Sequence, residues 1–331
     1  ILHIVYQHDL KEKMSDTLDA KDTNIAEIGS IALSDASELK DFNITLRPCF
    51  EKYVSKSVED KCNVIFRAGR ERLKMFISQM EKAFEKEDAE KVLFTVLAEA
   101  IGYGKNRNVM NKLSSLIPLS LVDEFIYGGN QDIINERIEA FLFWKSGLIK
   151  KVESNKEIYK NYKKHEKSFY MWDNLIPESI KYQEWEFGAV RPYNSPYRNI
   201  AALASLYSKY LDRSLVSDII NGYNESRDII KTVESILNSS VHSVWHFSNT
   251  PSGKISDIKR NFFTANRVNV IAANIIIPFF IIFCKKNKDY ELAESFIKDY
   301  EELKGEDFNR KTKFVFDQLA LTGIKVKKSI C

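Results

Sequence analysis

Apolar residues recur along most of this chain with the period of an α-helix. The pattern is clear from about residue 57 onward, where apolar residues are spaced three or four apart. Such spacing places side chains on one face of a helix, while the charged residues between them, such as Lys74 and Glu81, lie on the opposite face. The apolar face consists of Leu73, Phe76, Ile77, Met80 and Phe84. The pattern predicts a long amphipathic helix.

Similar patterns predict a succession of further helices. The predicted spans are 92–101, 106–116, 132–144, 199–211, two helices that begin at Ser214 and Asn224 (the latter with Asn as its N-cap), 264–285, 290–304 and 309–322. The segment 172–198 differs because Pro177, Pro192 and Pro196 interrupt any continuous helix. We expect an irregular connection there.

The first residues have the pattern of β-strands instead. Residues 1–9, ILHIVYQHD, are largely apolar and lack an initiator Met, a basic region and a cleavage site, and 28–33 could form a second strand. We interpret 1–34 as the C-terminal remnant of a missing β-rich domain and 35–331 as a helical domain. The predicted fold class is mainly α, a multi-helix single domain with a short N-terminal β remnant. Since Cys331 follows a basic run with no helix stop, we expect the chain to be a fragment.

Composition is that of a folded globular protein. Of the 331 residues, 44% are hydrophobic and 29% are charged, which excludes disorder for most of the chain. The net charge of +3 gives no overall electrostatic footprint for nucleic acid, although it allows a local basic patch. Seven lysines within 150–167 fit either a solvated helix face or a surface that contacts nucleic acid. Four widely spaced cysteines without a CxxC pair indicate a reducing compartment, and we predict a cytoplasmic location.

The apolar stretch 268–284 is the one segment that raises the question of a membrane. It contains Asn269, Asn274 and Pro278, and its uninterrupted part is ten residues long. A membrane-spanning helix needs about 20 apolar residues. We therefore predict a buried core helix and no membrane association. Because Pro278 lacks an N–H and leaves the carbonyl of Asn274 free, a kink is expected there.

No sequence motif for catalysis is present. Phosphate loops, dinucleotide fingerprints, HExxH and serine elbows are absent from the sequence. His242 and His246 have the i, i+4 spacing that would place two imidazoles on one face of a helix, as a metal site requires. No third ligand and no intervening Glu accompany them. We therefore predict no catalytic residue, no metal site and no cofactor in this chain.

Two segments are candidates for anion binding. The first is the glycine-rich turn 102–107, where Lys105 and Asn106 precede a helix N-terminus that attracts anions. Its glycines are explained as well by the end of one helix and the start of the next. Both interpretations stay open from the sequence.

The second candidate is the segment RPYNSPYR at 191–198. Its two prolines stiffen the backbone, so that Arg191, Asn194 and Arg198 are preorganised to bind a phosphate or carboxylate. Arginines here could equally bind helix carbonyls as a structural latch. We predict the latch for Arg191 and allow the anion role for Arg198. A basic groove would also include Arg267.

Four segments in one order carry a resemblance to a known family. They are GYGKNR, EAFLFWKSGLI, RPYNSPYRNIAALASL and RVNVIAANIIIPF. Together they resemble the bacterial family named domain of unknown function 2851, over most of residues 1–325. The chain departs from the family pattern at Trp144-Lys145-Ser146, where the family has Gly-Gln-Ala, and at Ser195, where it has an aromatic residue.

The resemblance implies a possible chemistry for the whole protein. In the family, a β-rich region with GPDF-like and VEIH-like segments precedes the strand that ILHIVY resembles. That arrangement is similar to the metal-binding carboxylates of restriction-endonuclease-like nucleases. It implies that this chain is the helical module of a metal-dependent nuclease-like protein that acts on nucleic acid. The alternative is a non-catalytic protein-interaction or scaffold domain, and both hypotheses stay open from the sequence.

Overall fold

The computed structural model describes residues 48–117, 125–188, 192–238, 241–303 and 310–321. Within these ranges the chain forms helices and short connections, and no β-strand. The predicted mainly α fold class is therefore confirmed. The predicted strands and β remnant at 1–34 lie outside the described residues, and the domain boundary at residue 34 stays a prediction.

The helices are numbered in chain order. They are α1 (Pro48–Val54), α2 (Val58–Phe84), α3 (Ala89–Gly102), α4 (Arg107–Ser114), α5 (Gln131–Lys145), α6 (Ile149–Val152), α7 (Lys156–Lys163), α8 (Glu166–Leu175), α9 (Pro196–Tyr210), α10 (Leu215–Ser226), α11 (Ile229–Leu237), α12 (Ala265–Ile271), α13 (Ile277–Lys286), α14 (Tyr290–Glu302) and α15 (Arg310–Gln318). Short 3₁₀ helices cover Gly104–Asn106, Tyr182–Glu184, Pro192–Asn194 and Val244–His246.

The described residues belong to two compact units. The smaller unit contains 48–61 and 310–321, where α1 packs against α15 and the Lys61 Nζ lies 3.4 Å from the carbonyl oxygen of Ala320. The larger unit contains the described residues from 62 to 303 and holds one extensive apolar core. All candidate site residues that the structure describes lie in the larger unit.

The helical pair α12 and α13 lies at the centre of this core, as the sequence predicts. Phe279 and Phe280 are fully buried, and Phe279 packs against Phe84 with 5.0 Å between ring centroids. Ala265–Lys286 is the one helix of the described residues with the length and composition of a membrane span, at 22 residues and a mean hydropathy of 2.1. Of the most apolar 18-residue stretch of that helix, 67% is buried inside the protein. Its surroundings are those of a core helix.

A π-helical turn lies just before Pro278, where the sequence predicts a kink. A π-helical turn, Ala272–Ile276, joins α12 to α13 immediately before the proline. Proline cannot donate the backbone hydrogen bond that continues an α-helix, and π turns occur mostly as single turns inside such helices. Within the turn, the side-chain oxygen of Asn274 accepts a hydrogen bond from Arg72 Nη2 at 2.9 Å.

The helix predicted to begin at Asn224 is wrong. α10 continues through this residue to Ser226 and ends at Arg227, which has a left-handed backbone with φ 51°. The next helix, α11, is capped instead by Asp228, whose side chain accepts a hydrogen bond from Lys231 N at 3.0 Å. The Asp228 carboxylate therefore takes the N-cap role in α11 that the sequence pattern assigns to Asn224.

Candidate functional site

The predicted anion-binding segments meet in the larger unit around Arg267. This arginine lies in the first turn of α12, whose N-cap Thr264 accepts a hydrogen bond from Arg267 N at 3.4 Å. Its Nη1 donates to the Asn194 Oδ1 at 2.7 Å, and its Nη2 donates to the carbonyls of Ala100 and Ile101. Those carbonyls belong to the last turn of α3, where a cation is favourable. Arg267 therefore connects α3, α12 and the segment before α9.

Arg198 lies in the first turn of α9 and is 1% exposed. Its Nη1 donates to the carbonyl of Trp245, and its Nη2 donates to the carbonyl of Asn261 at 2.7 Å and that of Arg260 at 3.5 Å. Burial lowers the pKa of Arg198 to about 10, and it also lowers the pKa of Arg267 to about 10. Both stay protonated at neutral pH. The contacts give Arg198 the latch geometry predicted for Arg191, which lies outside the described residues.

The glycine-rich turn makes internal contacts. Asn106 is 1% exposed, and its side chain both donates to the Glu186 carbonyl and accepts from the Glu186 amide, each at 2.9 Å. Lys105 Nζ is 3.4 Å from the Glu186 carboxylate in an exposed pair. A Cβ at Gly102 would lie 2.9 Å from the Cα of Arg107, so this glycine permits close packing of α3 against α4. The contacts of Asn106 and Gly102 favour the capping interpretation of the turn.

An exposed layer lies over the buried Arg198 and the half-buried Arg267. Tyr103 and Tyr193 are 57% and 45% exposed. The Arg267 guanidinium lies 5.4 Å from the ring centroid of Tyr103, and those of Arg198 and Arg260 each lie 5.9 Å from that of Tyr193. We name Tyr103, Tyr193, Arg198, Arg260 and Arg267 the arginine cluster.

Among the described residues, the arginines of the arginine cluster have no carboxylate partner. Within the described ranges, no Asp or Glu forms an ion pair with Arg198, Arg260 or Arg267. The positive charge of Arg260 adds to the depression of the Arg198 pKa, and that of Arg198 adds to the depression of the Arg267 pKa. Cations and exposed aromatic rings together suit a ligand with anionic and planar groups. Of the six residues predicted to bind, the structure brings Asn194, Arg198 and Arg267 together.

The histidine pair does not have the geometry of a metal site. His246 lies in the 3₁₀ helix Val244–His246, so the helical face on which the pair depends is absent. Its Nδ1 lies 2.9 Å from the Arg260 carbonyl oxygen, and its ring stacks on Phe262 with 4.1 Å between centroids. In the part of the chain that the structure describes, no three His, Cys, Asp or Glu residues are placed to hold a metal ion.

Two residues that depart from the family pattern, Trp144 and Lys145, bind the same carboxylate on α8. Trp144 Nε1 donates to Asp173 Oδ1 at 2.9 Å, and Lys145 Nζ donates to the same oxygen at 2.5 Å. The Lys145 side chain is fully buried and also donates to the Ile176 carbonyl. The two substituted residues thus anchor the end of α8 to α5.

A polar pocket beside α5 was not predicted. It is lined by Asn130, Asp132, Ile133, Asn135, Glu136, Glu139, Asn161, His242, Ser243 and Val244. We name it the α5 pocket. The signal in the sequence is the set of polar residues 132, 135, 136 and 139, whose i, i+3, i+4 and i+7 spacing places them on one face of α5.

Fold and site together describe a mainly α-helical protein with a basic cluster flanked by tyrosines. The model of the family described as protein of unknown function (DUF2851) matches residues 1–309. The chain belongs to this family, which confirms the resemblance of the four ordered segments. No curated protein and no solved structure matches the chain.

Proposed function

We propose that this helical module binds nucleic acid at the arginine cluster and positions it for a metal-dependent nuclease-like protein. The observation that carries the proposal is that three guanidinium groups lie beside two exposed tyrosines. Among the described residues, none of these three arginines forms an ion pair with a carboxylate. Phosphate groups are bound by arginine through charge-assisted hydrogen bonds. The nuclease-like part rests on the resemblance alone.

Arg198 and Arg267 have a different part in this proposal from the exposed layer. Arg198 and Arg267 are held by main-chain carbonyls, so they contribute fixed positive charge and a rigid floor. Arg260 is half-buried, and its carbonyl, rather than its guanidinium, makes the internal hydrogen bonds to Arg198 and His246. Its side chain is therefore the arginine of the cluster best placed to contact a phosphate.

The exposed tyrosines supply the second kind of contact. Bases of single-stranded nucleic acid stack on aromatic side chains, and each stack contributes about 1–3 kcal/mol. Tyr193 is suited to this because its ring is exposed while Asn194, next to it, is held by Arg267. The module is thus expected to prefer single-stranded over double-stranded ligands.

The test is fluorescence anisotropy with a short labelled single strand and the matching duplex. Tyr193→Ala and Arg260→Gln should each weaken single-strand binding about tenfold, in line with a loss of about 1.4 kcal/mol. The matched control is Arg213→Gln, because Arg213 also lies over a tyrosine ring, 5.4 Å from Tyr210, but pairs with Asp218. If the control weakens binding as much as the cluster variants, or none changes it, the proposal is wrong.

The nuclease-like part has its own test. We expect this chain alone to hydrolyse neither single- nor double-stranded nucleic acid when magnesium or manganese is added. Robust turnover that depends on protein concentration would place an active site in this chain and contradict the proposed division of roles.

A scaffold function is the second candidate, and one surface favours it. On α8, Tyr170 is 74% exposed and Leu175 is 56% exposed, with Met171 exposed beside them. A contiguous exposed apolar surface is typical of protein contacts, and these three side chains lie on one helix. Sedimentation velocity would compare wild type with Tyr170→Ser and Leu175→Ser. Concentration-dependent association that only these variants abolish would favour the scaffold function.

A further inference from the structure

The α5 pocket has a buried end and an exposed end. Asn135 and Glu139 are 0% and 4% exposed, whereas Asp132 and His242 are exposed. The cavity volume is about 220 Å³. One water needs about 10–15 Å³ of such space, so the pocket has room for a small organic molecule.

Two acceptor oxygens at the buried end have no hydrogen-bond partner among the described residues. They are the Oε2 of Glu139 and the Oδ1 of Asn135. The other atoms of these groups are used, since Tyr162 donates its hydroxyl to Glu139 Oε1 and Asn135 Nδ2 donates to the His242 carbonyl at 3.1 Å. Buried polar atoms in folded proteins nearly always have partners, so two unpaired acceptors in one cavity indicate a missing donor.

Two other carboxyl groups of the pocket already have partners within the chain. Asp132 Oδ1 accepts from the His242 amide at 2.8 Å. Glu136 Oε1 lies 2.7 Å from Lys164 Nζ and 2.8 Å from His165 Nε2. No Lys or Arg side chain lines the pocket, while three carboxyl groups do. Its lining is therefore rich in acceptors and favours positive charge.

We propose that the α5 pocket binds a small organic cation through its N–H groups. An ammonium or guanidinium group would donate to Glu139 Oε2 and Asn135 Oδ1, which are the two acceptors left without partners. A metal ion is the less suitable occupant, because the described residues place no three ligating side chains together. This site is independent of the arginine cluster.

The ionisation of Glu139 gives the proposed site a pH dependence. Burial raises the pKa of Glu139 to about 7, with hydrogen bonding from Tyr162 and Ser243 opposing the rise and the charge of Glu136 adding to it. Around the carboxyl lie Glu136, Asn135 and Asp132 from α5, Tyr162 from α7, and His242 and Ser243 from the segment after α11; Lys164 and His165 pair with Glu136. A cation prefers the ionised carboxylate, so its affinity should rise with pH through about 7.

The histidines near the pocket require a control for this pH dependence. His242 lines the pocket and His165 pairs with Glu136, and a positive charge on either imidazole would oppose a bound cation. Glu139→Gln removes the carboxyl and keeps both histidines. Only the part of the pH dependence that disappears in this variant belongs to Glu139.

The experiment is a calorimetric and NMR titration of the chain with ethylammonium and guanidinium, and with neutral acetamide as the uncharged probe. Wild type should bind the cations at pH 8 and not acetamide. Glu139→Gln and Asn135→Leu should each weaken cation binding at least tenfold, while the exposed Glu157→Gln should not. Cation binding should also lower the pKa of the Glu139 carboxyl in labelled protein.

Two results would overturn the proposal. One is binding of neither cation to wild type at millimolar concentration. The other is equal affinity of wild type and both pocket variants, which would place any bound cation elsewhere on the protein. If either pocket variant fails to fold, the shift of the Glu139 pKa in wild type decides, since a cation outside the pocket would leave it unchanged.

Discussion

The arginine cluster and the α5 pocket both bury ionisable side chains, and they differ in what those side chains contact. Arg198 and Arg267 donate to five main-chain carbonyls and one side-chain oxygen, and each leaves one Nε–H unpaired. Glu139 Oε1 accepts from Tyr162, and Glu139 Oε2 has no hydrogen-bond partner among the described residues. The chain's own oxygens therefore occupy the terminal nitrogens of both arginines, whereas one terminal oxygen of Glu139 is left for a ligand.

Trp245 connects the two regions. Its carbonyl accepts from Arg198, and its indole Nε1 donates to the Tyr162 hydroxyl at 2.8 Å. Tyr162 in turn donates to Glu139. The two regions therefore share one fully buried residue, and the comparison between them can be tested by changes at each end and in the middle.

The largest expected effect on stability comes from a change in the arginine cluster. Arg198→Met removes the donors of the carbonyls of Trp245 and Asn261, and Trp245 is fully buried, so its carbonyl would lose its donor inside the core. We expect a loss of about 3–5 kcal/mol in the free energy of unfolding, measured by urea denaturation at pH 7.

Arg213→Met is the control for this change. Arg213 is about half exposed and lies over the Tyr210 ring, so its loss should cost no more than about 0.5 kcal/mol. If Arg198→Met costs less than about 1 kcal/mol, Arg198 is not a latch, and the contrast between the two regions fails.

The α5 pocket should make the stability of the protein depend on pH. The pKa of Glu139 is raised from its ordinary 4.5 to about 7 in the folded protein. The folded state therefore binds more protons than the unfolded state between these values, and stability falls as pH rises from about 4.5 to about 7. The loss should be about 3 kcal/mol in wild type and absent in Glu139→Gln.

Urea denaturation of both proteins between pH 4.5 and pH 8 measures this difference. Above pH 7, Glu139→Gln should be the more stable of the two, and below pH 5 the difference should have largely disappeared. Glu157→Gln should follow wild type at every pH. Parallel curves for wild type and Glu139→Gln would mean that Glu139 is not protonated in the folded state near neutral pH.

Much of the fold follows from local periodicity. The apolar stripe from Leu73 to Phe84 belongs to α2, and the apolar stretch with Pro278 is the central helix of the core. These predictions succeed because side-chain burial on a helix is set by spacing along the chain. The cap at Asn224 fails because the choice between two capping residues depends on where the preceding helix ends, and Arg227 ends α10 with a left-handed backbone.

The site was less predictable because its contacts join distant segments. The sequence identifies Arg198, Asn194 and Arg267 as candidates, but the carbonyls that bind Arg198 lie 47 to 63 residues further along the chain. Nothing local indicates which arginine receives them. The α5 pocket has the opposite property, since its polar stripe is local but its depth depends on how the segment around Ser243 covers it.

The smallest expected effect tests the connection between the regions. Trp245 is fully buried between Phe143 and Tyr197, with ring centroids at 5.3 Å and 5.4 Å. Trp245→Phe keeps an aromatic ring and the carbonyl that Arg198 needs, but it removes the indole N–H that donates to Tyr162. We expect a loss of about 2 kcal/mol in the free energy of unfolding from the smaller ring and the missing hydrogen bond.

Trp245→Phe should also change the pKa of Glu139, because Tyr162 contacts both residues. A hydroxyl that accepts a hydrogen bond is a stronger donor, so loss of the indole N–H weakens the hydrogen bond from Tyr162 to the carboxyl. Because that hydrogen bond lowers the pKa of Glu139, the pKa should rise further in Trp245→Phe, as measured by NMR of the labelled carboxyl. A double-mutant cycle with Glu139→Gln should give a coupling of at least about 0.5 kcal/mol. If the two changes have additive effects on the free energy of unfolding and the pKa of Glu139 is unchanged, the arginine cluster and the α5 pocket are energetically separate, even though Trp245 contacts both.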